Sequence, residues 1–191
     1  MEKLNICLVS LTIAPDSQDG AGTSFRGIFD YLRRQGHNVK LITGKWNMDL
    51  NDPDIIQFNL IPKRFLWVPQ FMLKAIKYIN SHDFDIFHGN APKGTLPIIL
   101  SNKKKFVTTI HDMGPFETRF SRIPIEKYLL KYAVRKATVI TTVSDFIKKE
   151  IKYFISFLIK SETVVITVAF CTADLIKYLS IGIFQFNPLS V

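Results

Sequence analysis

Short apolar runs rich in Val and Ile alternate along the chain with segments whose apolar residues recur every three or four positions. The runs Asn5 to Leu11, Val39 to Thr43, Ile55 to Ile61, Phe84 to His88, Phe106 to His111 and Thr138 to Val143 read as strands. Most are apolar on both faces, as strands of a parallel sheet covered by helices on each side must be. Helical segments separate them. In Thr23 to Gln35, Phe25, Ile28, Phe29 and Leu32 fall on one stripe, with Arg26, Asp30, Arg33 and Arg34 on the other face. Gly36 follows where a helix commonly stops. Pro69 opens a second helix through Asn80, and Gly94 to Ser101 makes a short third. Pro124 starts a fourth, with Ile125, Tyr128, Leu129 and Tyr132 on one stripe. Ser144 caps a fifth, Asp145 to Tyr153. This alternation predicts an α/β fold: a doubly wound, mostly parallel Rossmann-like sheet with helices on both faces. Such a sheet collects its ligand in the loops at the carboxyl ends of its strands, here those after Leu11, Thr43, Ile61, His88, His111 and Val143.

Composition narrows the class further. With 191 residues, 47% hydrophobic and 21% charged, the chain is globular and large enough for one core, which excludes a disordered or low-complexity protein. Cys7 and Cys171 each stand alone in apolar runs, so neither a disulfide framework nor a Cys-x-x-Cys metal site is expected, which suits a reducing cytoplasm. No uncharged apolar run is long enough to span a membrane. The first 15 residues resemble a weak signal peptide less than an opening strand, because Glu2 offsets Lys3 and the apolar segment contains Ser10 and Thr12. The net charge of +9 favours anionic partners without choosing among nucleotide phosphates, anionic lipid and nucleic acid. Residues 1–153 read as one Rossmann-like domain. From 154 to 191 only Lys160, Glu162, Asp174 and Lys177 are charged, and this apolar tail is expected to pack on that domain or extend it.

The loops carry the candidate chemistry. In Asp19-Gly20-Ala21-Gly22-Thr23-Ser24, the two glycines leave backbone N–H groups open beside a helix N-terminus, which favours an anionic or hydroxyl-rich ligand. A dinucleotide fingerprint fails there, because Phe25 stands where the third glycine is needed. Gly89 and Gly94 have P-loop spacing, but Thr95 replaces the phosphate lysine, which excludes a P-loop NTPase. His111 and Asp112 emerge where a buried strand meets a loop. Two readings fit that histidine: a donor to a substrate hydroxyl or phosphate, or a residue that only hydrogen-bonds its own loop. No pair or cluster has metal-ligand spacing. Lys63 to Trp67 mixes cations with large apolar groups, suiting either contact with anionic lipid or burial under the following helix. Aromatics interleaved with basic residues for nucleic acid are not evident.

Taken in order, these pieces resemble the N-terminal domain of a family 4 glycosyltransferase of the GT-B architecture. The resemblance covers about residues 4 to 153. It rests on Asn5-Ile6-Cys7-Leu8-Val9-Ser10, the loop Asp19 to Ser24, Gly36 to Thr43, Phe84 to Asn90, Thr108 to Asp112 and Ala137 to Ile151. It implies transfer of a sugar from a nucleotide-diphosphate donor with retention of configuration, without cofactor or metal. It also implies a sugar or lipid-linked acceptor, a cytoplasmic protein with peripheral contact at the inner face of a membrane, and no nucleic acid. The N-terminal domain of such enzymes chiefly shapes the acceptor side. His111 would be the catalytic candidate, facing the transferred sugar. The substrate-binding candidates are Gly20, Gly22, Thr23, Asn90, Asp112 and Ser144. Asn90 departs from the family, standing where many relatives place a histidine.

The family's donor domain carries a Glu-x7-Glu signature. Here the position eight after Glu117 is Ile125 and that eight after Glu150 is Leu158. The expectation is therefore an acceptor-side domain without its donor half, inactive alone. The alternatives are a non-catalytic ligand-binding or interaction module on the same scaffold and an unrelated α/β enzyme centred on His111.

Overall fold

A computed structural model of the protein describes residues 3–61, 63, 66–103, 105–112, 124–158 and 165–168. Its strands are β1 (Asn5–Val9), β2 (Asn38–Lys45), β3 (Ile55–Asn59), β4 (Ile86–Asn90), β5 (Phe106–Ile110), β6 (Val139–Thr142) and β7 (Val165–Val168). The helices are α1 (Gly20–Arg34), α2 (Trp67–Asn80), α3 (Ala91–Leu100), α4 (Pro124–Lys136) and α5 (Asp145–Leu158). The strands form one sheet in the order β3-β2-β1-β4-β5-β6-β7, and every pair is parallel. The chain winds outward from β1 to β3, then crosses back to β4 on the other side of β1. The doubly wound Rossmann-like fold expected from the sequence is the fold found, with its switch point between β1 and β4.

Period-two alternation in β1 shows why helices must cover both faces. Ile6 and Leu8 join Phe25, Phe29 and Leu32 of α1, all at or near zero exposure. Cys7 and Val9 face the other layer, where Phe71, Ala75 and Ile79 of α2 meet Ile98 of α3 and Val134 of α4. Burying a Phe or Leu side chain in this way contributes about 1.5–3 kcal/mol. The Cys7 thiol is free, and burial pushes its pKa well above the ordinary range, so it acts as a small apolar side chain.

The first three helices begin earlier than the periodicity predicts, for local reasons, while α4 and α5 begin at Pro124 and Asp145 as expected. Asp19 caps α1, accepting from the Gly22 N–H at 2.5 Å, so the helix starts at Gly20 rather than Thr23. In α2 and α3, Pro69 and Pro92 lie inside the first turn, where a missing N–H costs nothing. Gly36, with φ of 86°, ends the α1 connection as the sequence suggests. Strand β4 is displaced toward Asn90, leaving Phe84 outside it with its ring edge-on to Phe87.

Helix α3 sits unusually close to the sheet, and two glycines permit it. A Cβ on Gly89 would lie 2.5 Å from the Thr95 Cα, and one on Gly94 would overlap the Val9 carbonyl. The near-P-loop spacing of these glycines thus serves backbone packing. Helix α5 continues past Tyr153 to Leu158, and Val165–Val168 pairs with β6 in register Val139 to Val165. The sheet therefore extends into the stretch where the composition changes; residues 169–191 lie outside the described residues.

Candidate functional site

The register levels the carboxyl ends of three adjacent strands. Val9 pairs with Gly89 and Asn90 with Thr109, so Ser10, Asn90 and Thr109 lie level over the switch point, and His111, two residues past Thr109, bonds to Asn90. A cavity of about 490 Å³ opens there. Its floor is Ser10, Thr12 and Asn90, Ala21 of α1 borders it, and Trp46, Asn47, Trp67 and Lys93 form its walls. The chain has two tryptophans, and both line this cavity. Their rings meet edge to face with centroids 5.4 Å apart, and the Lys93 ammonium lies 5.8 Å from the Trp67 ring centroid.

Asp16 builds the wall that carries Trp46 and Asn47. Its carboxylate is 1% exposed and accepts the backbone N–H groups of Trp46, Asn47 and Met48 at 2.8, 2.6 and 2.8 Å. The Asn47 side-chain amide donates to the Asp16 carbonyl at 2.6 Å, and the Trp46 indole N–H donates to the Leu11 carbonyl at 3.0 Å. The β1–α1 and β2–β3 connections are thereby locked together.

His111 is half-buried at the end of β5. Its Nε2 lies 2.6 Å from the Asn90 Oδ1. The Asn90 amide nitrogen in turn donates to the Ser10 hydroxyl at 2.8 Å, and Ser10 donates to the Thr12 carbonyl at 2.5 Å. Burial lowers the His111 pKa; the negative charges of Asp112 and Asp19 partly offset this. The neighbouring His88 is a core residue, 1% exposed, bonded to the Thr109 hydroxyl at 2.7 Å and edge-on to Phe25. Burial, aided by His111, depresses its pKa to about 3.

The residues singled out from sequence fall into two groups. Asn90 and His111 bond to each other at the cavity, and the backbone between Gly20 and Gly22 reaches it through Ala21. Gly20 is exposed with open space around its Cα. Gly22 is helical and buried, and its N–H is spent on Asp19, so it is not an open donor for a ligand. Thr23 donates its hydroxyl to the Asp19 carbonyl at 3.0 Å. Asp112 is exposed beside His111. Ser144 accepts the Ile147 N–H at 3.2 Å as the expected α5 cap, at the end of β6, two strands from Asn90. Although burial opposes charge on Asp19, bonds from the Ser17 hydroxyl and the Gly22 N–H prevail and its pKa falls. In the mixed segment after β3, Arg64 and Phe65 lie outside the described residues; Lys63 and Leu66 are exposed, while Trp67 turns to the cavity. The cavity residues Trp46, Asn47 and Lys93 and the clamp Asp16 were not singled out, and Trp67 was read only as part of a lipid-contacting or buried segment, although the strand-end rule marks the loops that hold most of them.

Among the described residues no three His, Cys, Asp or Glu side chains are grouped to hold a metal ion, and no helix is long and apolar enough to cross a membrane.

A parallel sheet with an indole-lined cleft over its switch point defines a Rossmann-like domain. The model of the Glycosyltransferase Family 4 matches residues 18–166, and the chain belongs to that family. No curated protein matches it. Among solved structures, a putative UDP-N-acetylglucosamine 2-epimerase from Listeria monocytogenes is similar with a TM-score of 0.60 at 14% identity, over 85% of this chain and 44% of that one. An alpha-glucosyltransferase in complex with UDP and a 13-mer DNA containing an HMU base gives a TM-score of 0.48 at 20% identity, over 86% and 42% of the two chains. The same kind of enzyme in complex with UDP gives 0.48 at 19% identity, over 86% and 43%. The chain thus spans less than half the length of these structures.

Proposed function

We propose that this domain is the acceptor-side wall of a retaining glycosyltransferase that moves a sugar from a nucleotide-diphosphate donor to a hydroxyl of a sugar or lipid-linked acceptor. The observation that carries the reading is the cavity over the switch point, with two indoles and several hydroxyl and amide groups beside His111. Indole faces suit the C–H surface of a sugar ring, and the polar groups suit its hydroxyls. In the transfer, the bond from the anomeric carbon to the diphosphate breaks and one to the acceptor oxygen forms, the nucleoside diphosphate departs, and the acceptor proton passes to its freed phosphate oxygen or to water. His111, bonded to the cavity residue Asn90, is the group assigned to meet the transferred sugar. Exposed Lys63 and Leu66, on the connection leading to Trp67, suit an anionic membrane surface that presents a lipid-linked acceptor.

One wall does not align two reactants. Positioning contributes about 7–11 kcal/mol to such reactions, so the 191-residue chain by itself is expected to bind acceptor without transferring sugar. The test combines two measurements. Titration of the purified chain with candidate acceptors, read by tryptophan fluorescence, should show binding, because both indoles line the cavity. Transfer should then appear when a family donor domain is supplied. Binding that persists without turnover in the two-domain enzyme would favour the ligand-binding module instead, and transfer by the isolated chain would refute the one-wall reading.

A further inference from the structure

The hydrogen bonds among Thr12, Ser10, Asn90 and His111 run in one direction only. A carbonyl cannot donate, so Ser10, 2.5 Å from the Thr12 carbonyl, must give its hydroxyl proton there. Ser10 is then an acceptor toward Asn90, which turns the amide nitrogen to Ser10 at 2.8 Å. The Ala21 carbonyl, a second acceptor 3.5 Å from that nitrogen, requires the same orientation. The Asn90 oxygen is left facing His111 at 2.6 Å, and an oxygen without a proton demands a protonated Nε2. Asn90 is 5% exposed, so water competes poorly for these bonds.

We propose that Asn90 is a positioning residue that fixes His111 as its Nε2–H tautomer, leaving Nδ1 as the ring atom available to the ligand. Among the described residues Nδ1 has no hydrogen-bond partner. Burial keeps the imidazole neutral near pH 7 against the opposing charges of Asp112 and Asp19, so Nδ1 is a lone pair. It therefore accepts a hydrogen bond from a ligand hydroxyl and does not donate one to a phosphoryl or carbonyl oxygen. The sequence admits a histidine that donates to hydroxyl or phosphate; the direction of these bonds selects a hydroxyl as donor to the histidine. The relay crosses β1, β4 and β5 at the floor of the cavity, so Thr12, Ser10 and Asn90 also touch whatever occupies it. That the hydroxyl belongs to a sugar rests on the function proposed above; the tautomer does not.

The test is long-range ¹H–¹⁵N correlation spectroscopy of the full chain labelled at histidine, near pH 7.5, with His111 assigned by loss of its signals in His111→Gln. The wild type should show a single Nε2–H tautomer for His111. Asn90→Ala should give averaged signals from both tautomers. Asn90→Asp, which still presents an acceptor oxygen, should restore Nε2–H. Ser10→Ala, a milder change, should weaken the preference if Asn90→Ala does not fold. An Nδ1–H ring or an even mixture in the wild type overturns the proposal, as does an unaltered Nε2–H tautomer in both Asn90→Ala and Ser10→Ala. Because none of these signals needs turnover, their failure is separable from absence of sugar transfer, which tests the functional reading alone.

Discussion

Asp16 and Asn47 hold each other by two hydrogen bonds: the Asn47 N–H to the Asp16 carboxylate and the Asn47 side-chain amide to the Asp16 carbonyl, both 2.6 Å. The pair stands 31 residues apart in sequence and fixes the distance between two walls of the cavity. Asp16→Ala removes the acceptor for three backbone N–H groups at once. Leaving buried donors unmet costs about 1–3 kcal/mol each, so a net loss of about 3 kcal/mol is expected after water satisfies some of them. Urea unfolding reads the loss, and a red-shifted Trp46 emission should accompany it. A variant as stable as the wild type would show that the carboxylate does not hold this wall.

This clamp marks the limit of what the chain reveals before folding. Periodicity locates the strands because a buried face repeats every two residues, and helix α1 because Phe25, Phe29 and Leu32 repeat on one side. Asn90 and His111 were visible as polar residues at strand ends. Asp16 has no such signature: it looks like an ordinary loop carboxylate, and its burial is decided by amides of residues 46–48 converging from another connection. Gly22 shows the reverse error. Its position in a glycine-rich loop suggests an open backbone, yet the Asp19 carboxylate, itself a loop residue in sequence, claims that N–H and closes the first turn of the helix.

The depressed pKa of His88 makes stability depend on pH. In the unfolded chain a histidine titrates near its ordinary value, whereas His88 in the fold titrates near 3. Between those values the unfolded state binds the extra proton. The contribution is therefore complete above about pH 6.5 and is lost as pH falls toward 3, at up to about 1.4 kcal/mol per pH unit. Comparison with His88→Gln, which retains a donor for Thr109, isolates this residue from His37 and His111, whose pKa values are lowered as well. Parallel stability curves for the two proteins from pH 7 to 5 would show that His88 does not carry the dependence.

Two glycines near the cavity should respond oppositely to a methyl group. On Gly94 a Cβ meets the Val9 carbonyl, so Gly94→Ala must push α3 off β1, and a loss of about 2–3 kcal/mol or failure to fold is expected. On Gly20 the space is open and the residue is helical, so Gly20→Ala should be neutral or stabilising by up to about 0.5 kcal/mol. Thermal unfolding of both variants checks the contrast; equal effects would mean that packing of α3 on the sheet is looser than these positions imply.

His111→Ala should leave the fold largely intact, because the ring is only half-buried and, among the described residues, its bond is the one to Asn90. In a two-domain enzyme, however, it removes the ring nitrogen that we propose faces the transferred sugar. A hydrogen bond that tightens in the transition state contributes about 10²-fold or more to kcat, and a loss of that order is expected. The tautomer sharpens the measurement. Since Nδ1 accepts, the partner must be a hydroxyl that donates, and replacing that hydroxyl by hydrogen or fluorine in the substrate should cost the wild-type enzyme a similar factor. The variant should no longer distinguish the natural substrate from either analogue, because the bond they lack is already gone. Testing each sugar position in turn identifies the contacted hydroxyl as the one whose loss the variant ignores. Near-normal turnover by a well-folded His111→Ala enzyme would remove the residue from the reaction. Independent, multiplicative losses at every position would place its effect elsewhere in the cleft.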